Sequence, residues 1–365
     1  MSDQRLFQIA LTKILRIGSK RGKQLVAYCG GVEAIFKERK SALLKIPGID
    51  EFIANSILSA RPELLAKADL DYIHAHKVKT TFFLDEDYPS RLTHVDDGPL
   101  LLYSKGDFRP NPNKTVAIVG TRKPTAYGKE ICEQLISDLQ AYNVQLISGL
   151  AYGIDACAHK KACDLQIENL AIMGTGIDRL YPAAHRSLAN EIKSCGALIT
   201  EYPLNARADR ENFPRRNRVI AAMADVIIVI QSASKGGSLI TAEFGNQYFK
   251  DVFAFPGRIN DAEFAGCNAL IKQHKAHLLM SVADIAYIMR WEEKEAPKDI
   301  QPQLFVELSD DEESVFASLK SQESASIDWI HSRVKVNMGQ LSSILLSLEF
   351  KGLIRTLPGK RYQKI

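Results

Sequence analysis

Between residues 114 and 290 short apolar runs rich in β-branched residues alternate with amphipathic helical stretches, and nothing else in the 365-residue chain constrains its fold as strongly. The runs are VAIVG (116–120), QLISGL (145–150), LAIMGTG (170–176), ALITEY (197–202), DVIIVIQ (225–231) and VFAFPG (252–257). Strands with almost no polar alternation must be covered on both faces, and the intervening helices supply that cover. The spacing therefore predicts an α/β domain with an extended, Rossmann-like, doubly wound parallel sheet. In open sheets of this kind ligands bind beyond the carboxyl ends of the strands.

Four segments fall at that edge. In VAIVGTRKPTAYGKEIC (116–132) a strand ends at Gly120, and Thr121 and Arg122 lead into a helix. Turn N–H groups, a hydroxyl and a guanidinium there suit a phosphate. In LISGLAYGIDACAHKKA (146–162) Gly149 ends a strand, and Asp155 and His159 lie one helical turn apart. That spacing fits an acid–base pair or half a metal site, but no third ligand or nucleophile accompanies it, so the structural reading is preferred. In NARADRENFPRRNRVIAAMADV (205–226) Arg207, Arg210, Arg215, Arg216 and Arg218 outnumber Asp209 and Glu211. With Phe213 and Asn217 they read as a loop that tracks a phosphate backbone and stacks bases. In VIIVIQSASKGGSLITAEFGNQ (227–247) Lys235, Gly236, Gly237 and Ser238 turn into a long helix, a second anion cradle. GxGxxG and a Walker lysine are both absent, which sets aside a dinucleotide oxidoreductase.

The flanks are of another kind. Residues 1–78 read as short amphipathic helices, and LLKIPGIDEFIANSIL (43–58) has the pattern of a helix-hairpin-helix or SAM-like unit turning at Pro47-Gly48. A looser copy runs over 14–30, around Gly18, and a plain helical bundle explains both segments equally well. Residues 79–113 are Pro- and Gly-rich and predict a connector with two short strands. Residues 291–308, with Pro297 and Pro302, read as a tether. Residues 309–365 predict a winged helix: helices over 310–320, 326–334 and 338–351, the last N-capped by Asn337, then a wing around Pro358-Gly359. The third helix is poor in Arg and Lys, so groove binding and a protein–protein role both stay open.

Composition adds little. Lys and Arg number 47 against 43 Asp and Glu, a formal charge of +4, too small to diagnose nucleic-acid binding by itself. The six cysteines (29, 132, 157, 163, 195 and 267) form no CxxC, which fits buried thiols in a reducing cytoplasm better than disulfides or zinc. MSDQRLFQIALTKILRIG lacks the apolar run of a secretory signal, and no stretch has the length of a membrane span, so the expectation is a cytoplasmic protein.

Taken together, GTR (120–122), SGLAYGIDACAH (148–159), GTGIDRLYP (174–182), ITEYP (199–203), FPRRNRVIA (213–221) and KGGSLITAEFG (235–245) resemble the DprA/Smf family over the whole chain. The resemblance implies a cofactor-free protein that binds single-stranded DNA in natural transformation, protects it, loads the RecA recombinase and dimerises through the Rossmann-like domain. It implies that Arg122 lies in a phosphate-binding turn, Arg216, Asn217 and Arg218 in an FPxRNR loop, and Lys235, Gly237 and Ser238 in a KxGS turn. Thr121 stands where Ser is commoner and Gly236 where Ser is usual. The enzymatic alternative is a nucleotide phosphoribohydrolase of the Lonely-guy fold, whose PGGxGTxxE signature would align Glu243 with the catalytic Glu. Leu239 and Ile240 replace its phosphate-receiving Gly and Thr, which argues for binding without hydrolysis.

Overall fold

The computed structural model describes residues 3–291, 308–319, 324–357, 359 and 361–364. They belong to two compact units divided between Lys294 and Glu295. Most of the expected tether, with Pro297 and Pro302, lies outside the described residues.

The first unit opens with six helices, α1 (Asp3–Thr12), α2 (Ser19–Cys29), α3 (Val32–Lys37), α4 (Lys40–Leu43), α5 (Glu51–Leu58) and α6 (Pro62–Ala75). Local chemistry sets their ends. Pro62 occupies the first position of α6, where a missing N–H costs nothing. The Asp50 carboxylate accepts from the Ile53 amide at 2.8 Å and caps α5. The turns at Gly18 and at Pro47-Gly48 come together around one cleft, lined also by Lys20, Arg21 and Gln24.

There follow β1 (Lys79–Phe82), β2 (Leu101–Gly106), β3 (Thr115–Val119), α7 (Ala126–Leu139), β4 (Gln145–Ser148), α8 (Ile154–Asp164), β5 (Asn169–Ile172), α9 (Arg186–Cys195) and β6 (Gly196–Thr200). The unit continues with α10 (Asn212–Met223), β7 (Val226–Val229), α11 (Ser238–Gln247), β8 (Asp251–Ala254), α12 (Ala265–Lys272), β9 (His277–Leu278) and α13 (Val282–Met289). The strands make one nine-stranded sheet in the order β1-β2-β6-β5-β4-β3-β7-β8-β9. From β6 to β9 neighbouring strands pair in parallel, which is the doubly wound sheet the sequence predicts. One edge differs from expectation, because β2 joins the same sheet antiparallel to β6 and β1 pairs antiparallel to β2. The segment 79–113 is thus part of the sheet as well as a connection.

Side-chain alternation along the strands divides the interior into two cores. On β2, β5 and β6, Leu102, Leu170, Ile172, Ala197 and Ile199 point into one cluster with β3, β4, β7 and β8. Leu101, Tyr103, Ala171 and Leu198 point the other way, into a cluster that contains Ile9, Leu11, Leu25, Ile35, Ile53 and Ile57 of the N-terminal helices. The helical block and the sheet therefore share a core. Strand order reverses at the neighbours β3 and β7: the chain winds from β3 through β4, β5 and β6 in one direction, then returns to β7 and β8. That is the topological switch point of an open sheet.

In the second unit α14 (Asp310–Ser318), β10 (Ala325–Ser326), α15 (Ile327–His331), α16 (Met338–Phe350), β11 (Ile354–Leu357) and β12 (Arg361–Lys364) form a winged helix. Its small sheet has the order β10-β12-β11 and its core gathers Val315, Leu319, Ile330, Leu341, Leu345, Leu348 and Ile354. Pro358 of the expected wing turn lies outside the described residues. Asn337 caps α16 by accepting from the Gln340 amide at 2.9 Å, while the Gln340 side chain accepts from the Asn337 amide at 3.2 Å. Asn337→Ala removes this capping box and is expected to cost about 1 kcal/mol in the unfolding of the winged helix, read by urea denaturation. An unchanged midpoint would show that the cap contributes nothing there.

Candidate nucleic-acid interface

At the switch point β3 and β7 each run into a turn, and the two turns are tied together. The Thr121 amide donates to the Gln231 carbonyl at 2.8 Å, and the Thr121 carbonyl accepts from the Ile154 amide at 3.1 Å. Gly153 allows this approach: its φ is +84°, and a β-carbon there would collide with the Thr121 carbonyl oxygen. Gly120 packs over Ile154 and hands the chain to Thr121, whose hydroxyl accepts from the Lys123 amide at 3.2 Å. Arg122 is left exposed, with no hydrogen bond or ion pair among the described residues; its guanidinium carbon lies 6.0 Å from the centre of the Phe213 ring.

Beyond β7, Gln231 and Ser232 are fully buried, and the turn rises to Lys235, which is exposed and makes no ion pair among the described residues. The Gly236 amide donates to the Ala233 carbonyl at 3.1 Å, and the Ser238 hydroxyl donates inward to Ser232 Oγ at 2.9 Å. Gly237 precedes α11 with no side-chain cap, and a β-carbon on it would meet nothing within 4 Å. Of the amides that open α11, those of Leu239 and Ile240 bond back to the Gly236 and Gly237 carbonyls, and those of Gly237 and Ser238 are left beside Lys235, a combination that suits an anion. The Gln231 side-chain nitrogen is buried there without a partner, while its oxygen accepts from the Thr125 amide at 3.0 Å.

The arginine segment is arranged differently from the expectation. Residues 212–223 are helical, with Phe213 and Pro214 in the first turn of α10, where proline needs no N–H partner. Helical periodicity then sends the arginines in different directions. Arg215 is exposed beside Glu211, 3.4 Å away. Arg216 is only 4% exposed. It donates to the Gly149 carbonyl at 2.6 Å and to the Ile172 carbonyl, and its Nε donates to Asn217 Oδ1 at 3.1 Å. Burial, opposed by the nearby Asp155 carboxylate, lowers its pKa to about 10. Arg218 donates to the Asp97 carbonyl at 2.6 Å and pairs with Glu201. The assignment of Arg216 and Arg218 to phosphate contact is thereby corrected: both guanidinium groups are spent inside the fold, clamping strand ends. Gly149 is likewise internal, since its amide donates to Asp155 at 3.2 Å and its carbonyl serves Arg216. Asn217 is half-buried, its side-chain nitrogen 3.5 Å from the Gly237 carbonyl, and links α10 to the lysine turn.

Asp155 and His159 hold backbone and do not face a ligand. The Asp155 carboxylate accepts from the Gly149 and Ala151 amides, and burial raises its pKa against the pull of Arg216. His159 is fully buried; its Nε2 accepts from the Leu150 amide at 3.3 Å and its Nδ1 lies 2.6 Å from Asn169 Oδ1. Because Nε2 faces a donor, the proton sits on Nδ1 and the ring is neutral. Burial, against the hydrogen bond to Asn169, lowers its pKa to about 4. No group of His, Cys, Asp and Glu among the described residues has the arrangement of a metal site.

What remains exposed at the edge is Arg122, Lys235, Arg215, the backbone at Gly237 and a half-buried Phe213. Sequence reasoning missed a second aromatic there. Tyr181 is 47% exposed, its ring centre 5.3 Å from that of Phe213. The signal lay within the quoted GTGIDRLYP segment, but only the fold brings it beside a residue 32 positions later.

Known proteins resemble this chain over both of its units. The family described as DNA recombination-mediator protein A matches residues 79–290, and the DprA winged helix domain matches residues 299–360. Protein Smf of Synechocystis is 30% identical over 100% of this chain and 99% of its own length. DNA processing protein DprA of Streptococcus pneumoniae is 37% identical over 55% of this chain and 71% of its own. Among solved structures, DNA processing protein A of Streptococcus pneumoniae superposes with a TM-score of 0.65 and 27% identity, covering 80% of this chain and 99% of that one. The protein from Helicobacter pylori, solved for its single-stranded DNA binding mode, gives a TM-score of 0.53 and 27% identity over 59% of this chain and 98% of that one. With a relative aligned from end to end and matches to both the sheet and the winged helix, the chain belongs to the DprA/Smf family of DNA-processing proteins.

Proposed function

We propose that this chain binds single-stranded DNA along the switch-point edge of its sheet, without cleaving it. The observation that carries this reading is the bond from the Thr121 amide to the Gln231 carbonyl, which sets the Arg122 turn and the Lys235 turn side by side with both cations unpaired among the described residues. Arg122, Lys235 and the open start of α11 grip successive phosphates, while Phe213 and Tyr181 offer faces on which bases stack. Arg216 and Arg218 hold the edge in shape from beneath. Sequence preference is weak on this reading, because these groups address backbone and base faces more than base edges.

Absence of hydrolysis is supported by Leu239 and Ile240 in the first turn of α11 and by Glu243, whose carboxylate pairs with Lys275 at 3.0 Å. Family membership extends the reading to protection of incoming strands in natural transformation, delivery to the RecA recombinase, a cytoplasmic location and a homodimer. Among the described residues no helix is long and apolar enough to cross a membrane. The homodimer finds support at the β9 edge, where Leu278, Met280 and Tyr287 are exposed.

The test is fluorescence anisotropy of a labelled single-stranded oligonucleotide across a salt series. Arg122→Ala and Lys235→Ala are each expected to weaken binding about tenfold, ~1.4 kcal/mol, and to flatten the log–log salt slope by about 0.7 for each phosphate no longer neutralised. If both variants bind as the wild type does, this edge is not the DNA site.

A further inference from the structure

Four of the six cysteines lie on or against α8. One pair is placed for chemistry that the DNA reading does not require. Cys163, near the end of α8, and Cys195, the last residue of α9, are free thiols with sulfurs 3.1 Å apart. A disulfide needs about 2.05 Å, so a relative shift of about 1 Å closes the bond. Cys163 is buried, and Cys195 is half-buried and reachable by a small oxidant. The Cys163 sulfur is also part of a polar chain. Asn169 donates from its side-chain nitrogen to Cys163 Sγ at 3.4 Å and to the His159 carbonyl at 2.9 Å. The Asn169 oxygen accepts from His159 Nδ1, and His159 Nε2 accepts from the Leu150 amide, next to the Gly149 carbonyl that anchors Arg216.

We propose that Cys163 and Cys195 are an oxidisable dithiol, closed to a disulfide by peroxide, and that closure loosens the 149–151 turn through Asn169 and His159. Cys195 is the more exposed of the two and meets the oxidant first, which makes it the attacking sulfur. Its thiolate attacks hydrogen peroxide, forming a sulfenic acid and hydroxide, and the thiol proton converts that hydroxide to water. The Cys163 sulfur then displaces hydroxide from the sulfenic acid, and its own proton makes the second water. Two thiols and one peroxide give one disulfide and two waters, with two electrons passing from sulfur to peroxide. As Cys163 Sγ turns toward Cys195 it leaves Asn169, and the Asn169–His159–Leu150 chain loses its fixed end.

The experiment treats the full chain with stoichiometric hydrogen peroxide, blocks the remaining thiols, and maps digested peptides by mass spectrometry. The expected product joins the Cys163 and Cys195 peptides with the loss of two hydrogens, and dithiothreitol reverses it. It persists in a Cys132→Ser/Cys157→Ser variant and disappears in Cys195→Ser. Hydrogen exchange then reads the turn: the Leu150 amide is expected to exchange about fivefold faster in the oxidised wild type and unchanged in peroxide-treated Cys195→Ser. Recovery of both cysteines as blocked thiols, or of Cys195 as sulfinic acid, would overturn the dithiol. A disulfide that leaves Leu150 exchange unaltered would overturn its coupling to the turn. Neither readout involves DNA, so either outcome is independent of the binding site proposed above.

Discussion

Arg216→Ala is expected to cost about 3–5 kcal/mol of folding stability, the range for removing one partner from a buried charged cluster. The guanidinium reaches two carbonyls at the ends of neighbouring strands, Gly149 after β4 and Ile172 on β5. Alanine leaves both carbonyls unanswered and strands the Asp155 carboxylate, already raised in pKa by burial, without its nearest positive charge. Arg216→Lys should recover little, because a single ammonium cannot reproduce the planar donor set. Arg215→Ala is the control: its side chain is 68% exposed, and the change should fall within about 0.5 kcal/mol. Urea midpoints separate the two, and coincident midpoints for Arg216→Ala and wild type would sink the clamp account. Any loss of DNA binding in Arg216→Ala therefore has to be judged on protein shown to be folded.

The second large effect is acid sensitivity at His159. Its folded pKa of about 4 lies below the ordinary value of 6.5. Between those values the unfolded chain takes up a proton that the folded one refuses, so stability falls as pH drops from about 6.5 toward 4 and is flat above that window. Integrated over the shift, the loss is about 3 kcal/mol by pH 4. Chemical denaturation at pH 7.5 and at pH 5 gives the difference, and NMR titration of the His159 ring supplies the assignment. A ring that titrates near 6.5 in the folded state would remove the basis of this expectation. His159→Gln, which keeps an acceptor but does not titrate, should abolish this part of the pH dependence.

The sheet was legible because each strand is a run of apolar β-branched residues and each run is separated by a helix-length segment. The winged helix was legible because three helix-length segments, the last opened by Asn337 as N-cap, lead into a turn at Pro358-Gly359. The direction of each arginine was not. Phe213-Pro214 reads as a loop in isolation, and only the knowledge that proline is harmless in a first helical turn allows α10 to begin at Asn212. Once it does, residues 215, 216 and 218 diverge by helical rotation, one to solvent and two into the fold. β1 and β2 were partly legible as strands, but their place at the sheet edge was not, since partner and direction are settled by distant residues such as Thr200 opposite Tyr103. Tyr181 illustrates the same limit: proximity to Phe213 is a tertiary fact.

The common core of helices and sheet has a consequence for how the chain is divided. A fragment starting at Lys79 would keep α9 over part of this face but would uncover apolar surface around Leu101 and Tyr103, where the native chain lays its first six helices. Such a truncation would be expected to clump, and failure to bind DNA in it would report poor solubility before it reported anything about recognition. The bundle is better probed by altering its outward turns at Gly18 and Gly48 than by deletion, because it serves as the lid of the very sheet it precedes.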